Sequence, residues 1–119
     1  MKTEIVTATP HPYLLVLPDD GLLAAPGDAN DILSACFSEG VDRVLLPAPA
    51  LSDAFFTLSS GLLGEVTQQF INYHIRTAVA LEGRKVSVRF REWAGEVSKG
   101  SALRVFDGRE EAARWLAGE

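Results

Sequence analysis

Short apolar runs separated by turn residues open the chain and predict a β-hairpin. Residues 3–7 alternate weakly between polar and apolar side chains, and residues 13–17 form a short apolar run. The segment between them contains Pro10 and Pro12 and is typical of a turn, so we expect two adjacent strands. A further turn is predicted at residues 18–21, where two aspartates precede a glycine.

Two later segments have apolar residues at the spacing of a helix. Over residues 29–38 four apolar side chains share one helix face, which we expect to be buried, and Asp28 can cap the N–H groups at the start. Those four are Ile32, Leu33, Cys36 and Phe37. A second and longer helix is predicted to open at Ser60. Its apolar side consists of Leu62, Leu63, Val66, Phe70 and Tyr73.

The remaining strands and helices alternate. Strands are predicted over residues 41–46, 75–81 and 102–106. A third helix separates the last two strands, and Asp107 with Glu110 gives a capping-box-like start for a final helix. The order ββαβαβαβα predicts one α/β domain over residues 1–119, with a mixed sheet of four or five strands and about four helices.

Composition narrows the class of protein. With 119 residues, 47% of them hydrophobic and 23% charged, the chain can bury one core and is not expected to be disordered. No apolar run approaches the roughly 20 residues needed to cross a bilayer. No signal peptide is visible, so we expect a cytoplasmic location without membrane contact. Cys36, His11 and His74 are too few for a zinc site, and we expect no metal and no cofactor.

Charge is distributed unevenly along the chain. The net charge is −5, yet residues 76–104 carry seven bases and only three acids. Nucleic-acid binding needs a concentrated positive surface, so the acidic total argues against it and we expect nucleic acid not to be a partner. A solvated helix face explains the basic stretch more simply.

The strongest candidate for a functional site is the segment formed by Ser59, Ser60 and Gly61. They follow a predicted strand and open a predicted helix, where backbone N–H groups favour an anion or a phosphorylated hydroxyl. The simpler alternative is that one serine only caps the helix. No set of catalytic residues emerges elsewhere, so we expect a domain that is not an enzyme.

Four other residues are candidates for a contact surface. Phe55 and Phe56 interrupt an otherwise polar loop, and they either cover the end of the sheet or form an exposed apolar patch. Arg84 and Lys85 precede the third helix and are candidates for contacts with an acidic group. Trp115 and the first hairpin are candidates for a homodimer contact.

The chain resembles a family of uncharacterised bacterial proteins known as domain of unknown function 4180. The resemblance is carried by residues 55–65, continues through residues 69–73 and the strand that ends at Leu81, and includes the opening residues 1–6. It covers most of the chain. The family has no assigned activity, so the resemblance implies a fold and no chemistry.

The layout is also similar to that of STAS domains, the anti-sigma-factor-antagonist type. In those domains a helix that opens Asp-Ser-Ser-Gly-Leu-Gly carries a regulatory phosphoserine. Residues 59–62 match that core, Leu58 stands where the motif has its aspartate, and Leu63 adds one residue before the second glycine. The similarity implies a regulatory domain with a protein partner and a phosphorylation site at Ser60.

Two hypotheses for function follow. The leading one is a regulatory protein–protein interaction module that uses residues 53–65 and the start of the third helix. The alternative is a domain that binds a small ligand or anion, with or without catalysis, at the helix start near Ser60. Arg84, Lys85 or His74 would be its further contacts. The first requires a flat or convex apolar patch at these loops, and the second requires a cavity of a few hundred Å³.

Overall fold

A five-stranded mixed sheet forms the centre of the computed structural model, which describes residues 2–18 and 22–118. The strands lie side by side in chain order: β1 (Thr3–Val6), β2 (Tyr13–Val16), β3 (Arg43–Pro47), β4 (Arg76–Ala80) and β5 (Leu103–Phe106). β1 pairs with β2 in antiparallel orientation, and all later neighbours are parallel. The predicted α/β class and the hairpin are therefore confirmed.

Five helices connect or follow these strands. They are α1 (Pro26–Glu39), α2 (Asp53–Phe56), α3 (Leu62–Asn72), α4 (Val88–Val97) and α5 (Arg109–Ala117). Two short 3₁₀ turns, Ala48–Ala50 and Leu58–Ser60, flank α2. The four longer helices are the predicted ones, whereas α2 lies in a stretch that the sequence pattern leaves irregular.

The two faces of the sheet are covered unequally. Because the strand order advances in one direction, right-handed crossovers place α1, α3 and α4 on the same face. Val79 of β4 points into the core on that face, and its neighbours Ala78 and Ala80 point into a second, smaller core. Only α5 among the described helices packs on the second core, where Leu116 is fully buried. The two small alanines leave room for this helix against the sheet.

The starts of α1 and α5 differ from prediction. α1 begins at Pro26, before Asp28, whose carboxylate accepts from the N–H groups of Ala24 and Ala25 at 2.9 and 3.0 Å. α5 follows Gly108 and has no side-chain cap. The capping box predicted at Asp107 is wrong, because that residue prolongs the β5 pairing and its carbonyl accepts from the Glu82 N–H.

Phe37 and Tyr73 are exposed, although both were expected in the core. Each is 57% exposed, and their rings meet edge to face at 5.6 Å between centroids. The buried stripe of α1 runs through Ala29, Ile32, Leu33 and Cys36. Tyr73 is the C-cap of α3, so its side chain departs from the buried stripe of that helix.

Two further predictions can be placed against the described residues. Three of the four residues of the predicted 18–21 turn, with the Asp19 and Asp20 carboxylates, lie outside them. In the part of the chain that is described, no helix has the length and apolarity to traverse a bilayer.

Candidate functional site

Phe55 and Phe56 are buried, so they do not form an exposed patch. Both lie on α2, and they are 0% and 5% exposed. Phe56 contacts Phe55 and Phe90 with ring centroids 5.3 and 5.2 Å apart. Of the two roles considered for this pair, covering the sheet is the observed one, because burying two rings removes a large apolar area from water.

Arg84 lies directly against the outer side of Phe56. Its guanidinium carbon is 4.1 Å from the Phe56 ring centroid, a cation–π geometry. Its Nη2 donates to Asp53 Oδ1 at 2.7 Å, and Asp53 is the first residue of α2. Lys85 is exposed beside it. The structure therefore brings Phe56 and Arg84 together, but as a support for α2.

Ser60 is exposed and also contacts this short helix. Its hydroxyl donates to the Ala54 carbonyl at 2.6 Å and accepts from the Leu62 N–H at 3.2 Å. Gly61 separates it from α3 and adopts a left-handed conformation, φ 77°, that glycine tolerates best. Ser59 is exposed in the preceding 3₁₀ turn. Helix α3 thus starts at Leu62, two residues later than predicted.

A cavity of about 310 Å³ opens at the carboxyl ends of β3 and β4, the edge at which α/β sheets commonly bind ligands. It is lined by Ala48, Pro49, Leu81, Glu82, Gly83 and Arg84. The last four residues form a tight turn, in which the Arg84 N–H donates to the Leu81 carbonyl at 2.9 Å. Positive φ angles of 50° and 84° at the central residues fit a type I′ turn.

Two ion pairs connect this turn to other elements. Arg84 pairs with Asp53, whose side chain is 92% exposed, and Glu82 pairs with Arg109 at 3.0 Å. The Nε atoms of both arginines are buried and have no hydrogen-bond acceptor. The cavity is therefore bordered by one cationic and one anionic side chain, each held by a partner that water also reaches.

Two kinds of reactive group, the single thiol and the metal-ligand side chains, can be placed among the described residues. Burial raises the pKa of the Cys36 thiol to about 11, with a further contribution from the Asp42 carboxylate, so the thiol is neutral near pH 7. Over residues 2–18 and 22–118, His, Cys, Asp and Glu side chains form no group of three that could hold a metal ion.

The sequence identified Arg84 but missed Asp53 and Glu82. Glu82 and Gly83 directly follow a buried strand, and this pair could have predicted a tight turn. No local signal exists for the two ion pairs, because their partners are separated by 31 and 27 residues in the chain.

Comparison with known proteins gives one match. The family model described as "Domain of unknown function (DUF4180)" matches residues 8–116. No curated protein and no solved structure matches the chain.

Proposed function

Because the chain belongs to the DUF4180 family, a domain of unknown function, we propose from geometry alone that it binds a small organic anion at the carboxyl edge of its sheet. The observation that carries the proposal is the 310 Å³ cavity beside Arg84. Its volume lies at the lower end of the range typical of ligand pockets, roughly 300–1,000 Å³.

The burial of Phe55 and Phe56 favours ligand binding over docking through an apolar patch at this edge. The contact patch expected at Phe55 and Phe56 does not exist, since both rings are turned into the core. A shallow, open depression lies between the loop after β3 and the turn after β4. The ligand hypothesis is thus favoured because the apolar patch that the docking hypothesis requires at Phe55 and Phe56 is buried.

Arg84 is the group that would hold the anion. Its present partner, Asp53, is almost fully exposed, and pairs of this kind contribute little stability because water and salt screen them. A ligand carboxylate or phosphate therefore competes with Asp53 for the guanidinium. Glu82, on the same turn as Arg84, accepts hydrogen bonds, which favours a ligand that also carries a hydroxyl or an amino group.

The experiment is a titration of ¹⁵N-labelled protein with lactate, serine and glycerol phosphate, followed by amide chemical shifts. We expect saturable shifts at residues 48–49 and 81–84. Arg84→Gln should weaken binding about tenfold or more, as loss of a charge-assisted hydrogen bond predicts. Asp53→Asn should strengthen binding, because it removes the carboxylate that competes for Arg84.

Lys99→Gln is the matched control. Lys99 lies beyond the end of α4, is exposed, and pairs with Glu96, so its loss changes the net charge equally without touching the cavity. The proposal is rejected if all three ligands shift no amide at this edge. It is also rejected if Lys99→Gln weakens binding as much as Arg84→Gln, since the effect would then be general electrostatics.

A second candidate function, a STAS-like regulatory module with a protein partner, is supported by the position of Ser60. The proton of this exposed hydroxyl is used in the bond to the Ala54 carbonyl of α2. A phosphate ester has no such proton and carries nearly two negative charges, so phosphorylation would release α2. In this proposal the domain acts in the cytoplasm, without catalysis, as a monomer or homodimer whose 53–60 segment changes shape.

Hydrogen exchange tests this switch. Ser60→Glu is expected to speed amide exchange over residues 53–58 by about tenfold, corresponding to about 1.4 kcal/mol of local stability. Ser59→Glu adds the same charge one residue earlier and should leave that segment unchanged. Equal exchange in the two variants would exclude a special role of Ser60 in holding α2.

A further inference from the structure

Arginines line the opposite, amino edge of the sheet. Arg43 and Arg76 begin β3 and β4 and lie directly opposite each other, and Arg104 lies near the start of β5. Strand register places all three on the face covered by α5. The basic stretch of the sequence is therefore divided in space, with Arg76 and Arg104 at this edge and Arg84 at the other.

Trp115 of α5 lies close to two of these guanidinium groups. The guanidinium carbons of Arg76 and Arg104 are 5.4 and 5.2 Å from its ring centroid. Arg43 donates instead to the Leu116 carbonyl. Among the described residues, no acidic side chain forms an ion pair with Arg76 or Arg104. Positive charge is thus concentrated here in a protein whose total charge is negative.

The arginines at this edge repel one another. Desolvation lowers the pKa of the Arg43 guanidinium, and the like charge of Arg76 lowers it further. Asp42 offsets only part of this, at 3.8 Å from the Arg43 Nε. An anion beside Arg76 would relieve the repulsion.

A cavity of about 290 Å³ adjoins Arg76. Its lining consists of Ile71, His74, Ile75, Arg76, Ser101 and Ala102. Three of these residues are apolar, and the other three offer a guanidinium, an imidazole and a hydroxyl. Ile71 is one of the larger apolar side chains left exposed, at 40%.

His74 is held in a backbone conformation that suits glycine. Its φ is 57°, at the position after the C-cap of α3, and its N–H donates to the Ile71 carbonyl at 3.0 Å. The same Schellman geometry ends α1, where the corresponding residue is Gly40 with φ 68°. A side chain in this conformation costs free energy that glycine avoids. The residue that bears this strain is also a residue that lines the cavity.

We propose that this amino-edge cavity binds a carboxylate carried on an apolar body, with Arg76 and His74 as its polar contacts. Stacking on Trp115 restricts the Arg76 guanidinium before a ligand arrives, which lowers the entropy lost on binding. Two N–H groups of one guanidinium can donate to both oxygens of one carboxylate. The apolar lining, with Ile71 exposed at its border, provides surface for a short hydrocarbon group.

The test uses Trp115 as a reporter in a Trp93→Phe background, with acetate, butyrate, hexanoate and benzoate as probes at constant ionic strength. We expect saturable fluorescence changes whose affinity rises with the size of the apolar body. Arg76→Gln should weaken binding about tenfold or more. Arg89→Gln, which removes an exposed cation at the start of α4, should have no effect.

His74→Gly separates binding from stability. The variant is expected to raise the urea midpoint of unfolding, because glycine relieves the left-handed strain, and yet to weaken hexanoate binding. Amide shifts at residues 74–76 and 101–102 whose half-saturation concentration falls from acetate to hexanoate would distinguish this cavity from the carboxyl-edge one. The inference is overturned if inorganic phosphate binds and the carboxylates do not, if affinity is independent of chain length, or if His74→Gly binds as tightly as the parent.

Discussion

Replacing Phe56 by alanine is expected to lower the free energy of unfolding by about 3–5 kcal/mol, the range for deletion of a buried aromatic ring. The ring is 5% exposed and contacts Phe55, Phe90 and the Arg84 guanidinium. Its removal leaves a cavity beneath α2, a helix of only four residues that has little stability of its own. Urea unfolding followed by circular dichroism gives the measurement.

Phe37→Ala is the matched control for this prediction. It deletes the same ring from a position that is 57% exposed, so the expected loss is below about 1 kcal/mol, as for most surface substitutions. A third variant, Phe56→Leu, keeps most of the buried volume and should lose less stability than alanine. Equal destabilisation by Phe37→Ala and Phe56→Ala would contradict the burial of α2.

Replacing Leu116 by alanine is expected to cost about 2–5 kcal/mol. Leu116 is fully buried in the second core, against Leu45, Ala78 and Ala80 of the sheet. These alanines cannot extend to fill the space, so the cavity should persist. Thermal or urea unfolding measures the loss, and near-ultraviolet circular dichroism reports the packing of Trp115 on the same helix.

Glu111→Ala provides the comparison for this second prediction. Glu111 is exposed on α5, and its change to alanine should alter stability by no more than about 0.5 kcal/mol. Leu116→Met conserves volume and should cost less than about 1.5 kcal/mol. An alanine variant as stable as the methionine variant would show that α5 contributes little to the fold.

The strands and longer helices were predictable because their signals are local. The apolar run that becomes β4 and the helical spacing of α3 each arise from burial of a regular element. Element order then restricted the topology, since right-handed crossovers permit few arrangements of parallel strands. Helix α2 was missed, because four residues are too short to show a period.

The candidate sites were less predictable because they depend on contacts between distant residues. Ser60 and Arg84 stood out by residue type, but their shared role at α2 requires Ala54, Phe56 and Asp53 to be brought to them by folding. The amino-edge cavity was missed for a similar reason. His74 was considered as a ligand contact only together with Ser60, Arg84 and Lys85, and nothing local indicates that it instead lines a cavity with Ser101 and Arg76.

The position of α5 in the chain has a consequence for synthesis on the ribosome. The buried residues of the second core, Tyr13, Leu45, Ala78 and Ala80, are all made before Leu116 and the rest of α5. Until residues 109–117 leave the ribosome, one side of the nascent sheet stays in contact with water or with other chains. Ala78 and Ala80 reduce the apolar area that is exposed during that interval. The small side chains that let α5 pack closely on the sheet therefore also limit self-association of the nascent chain.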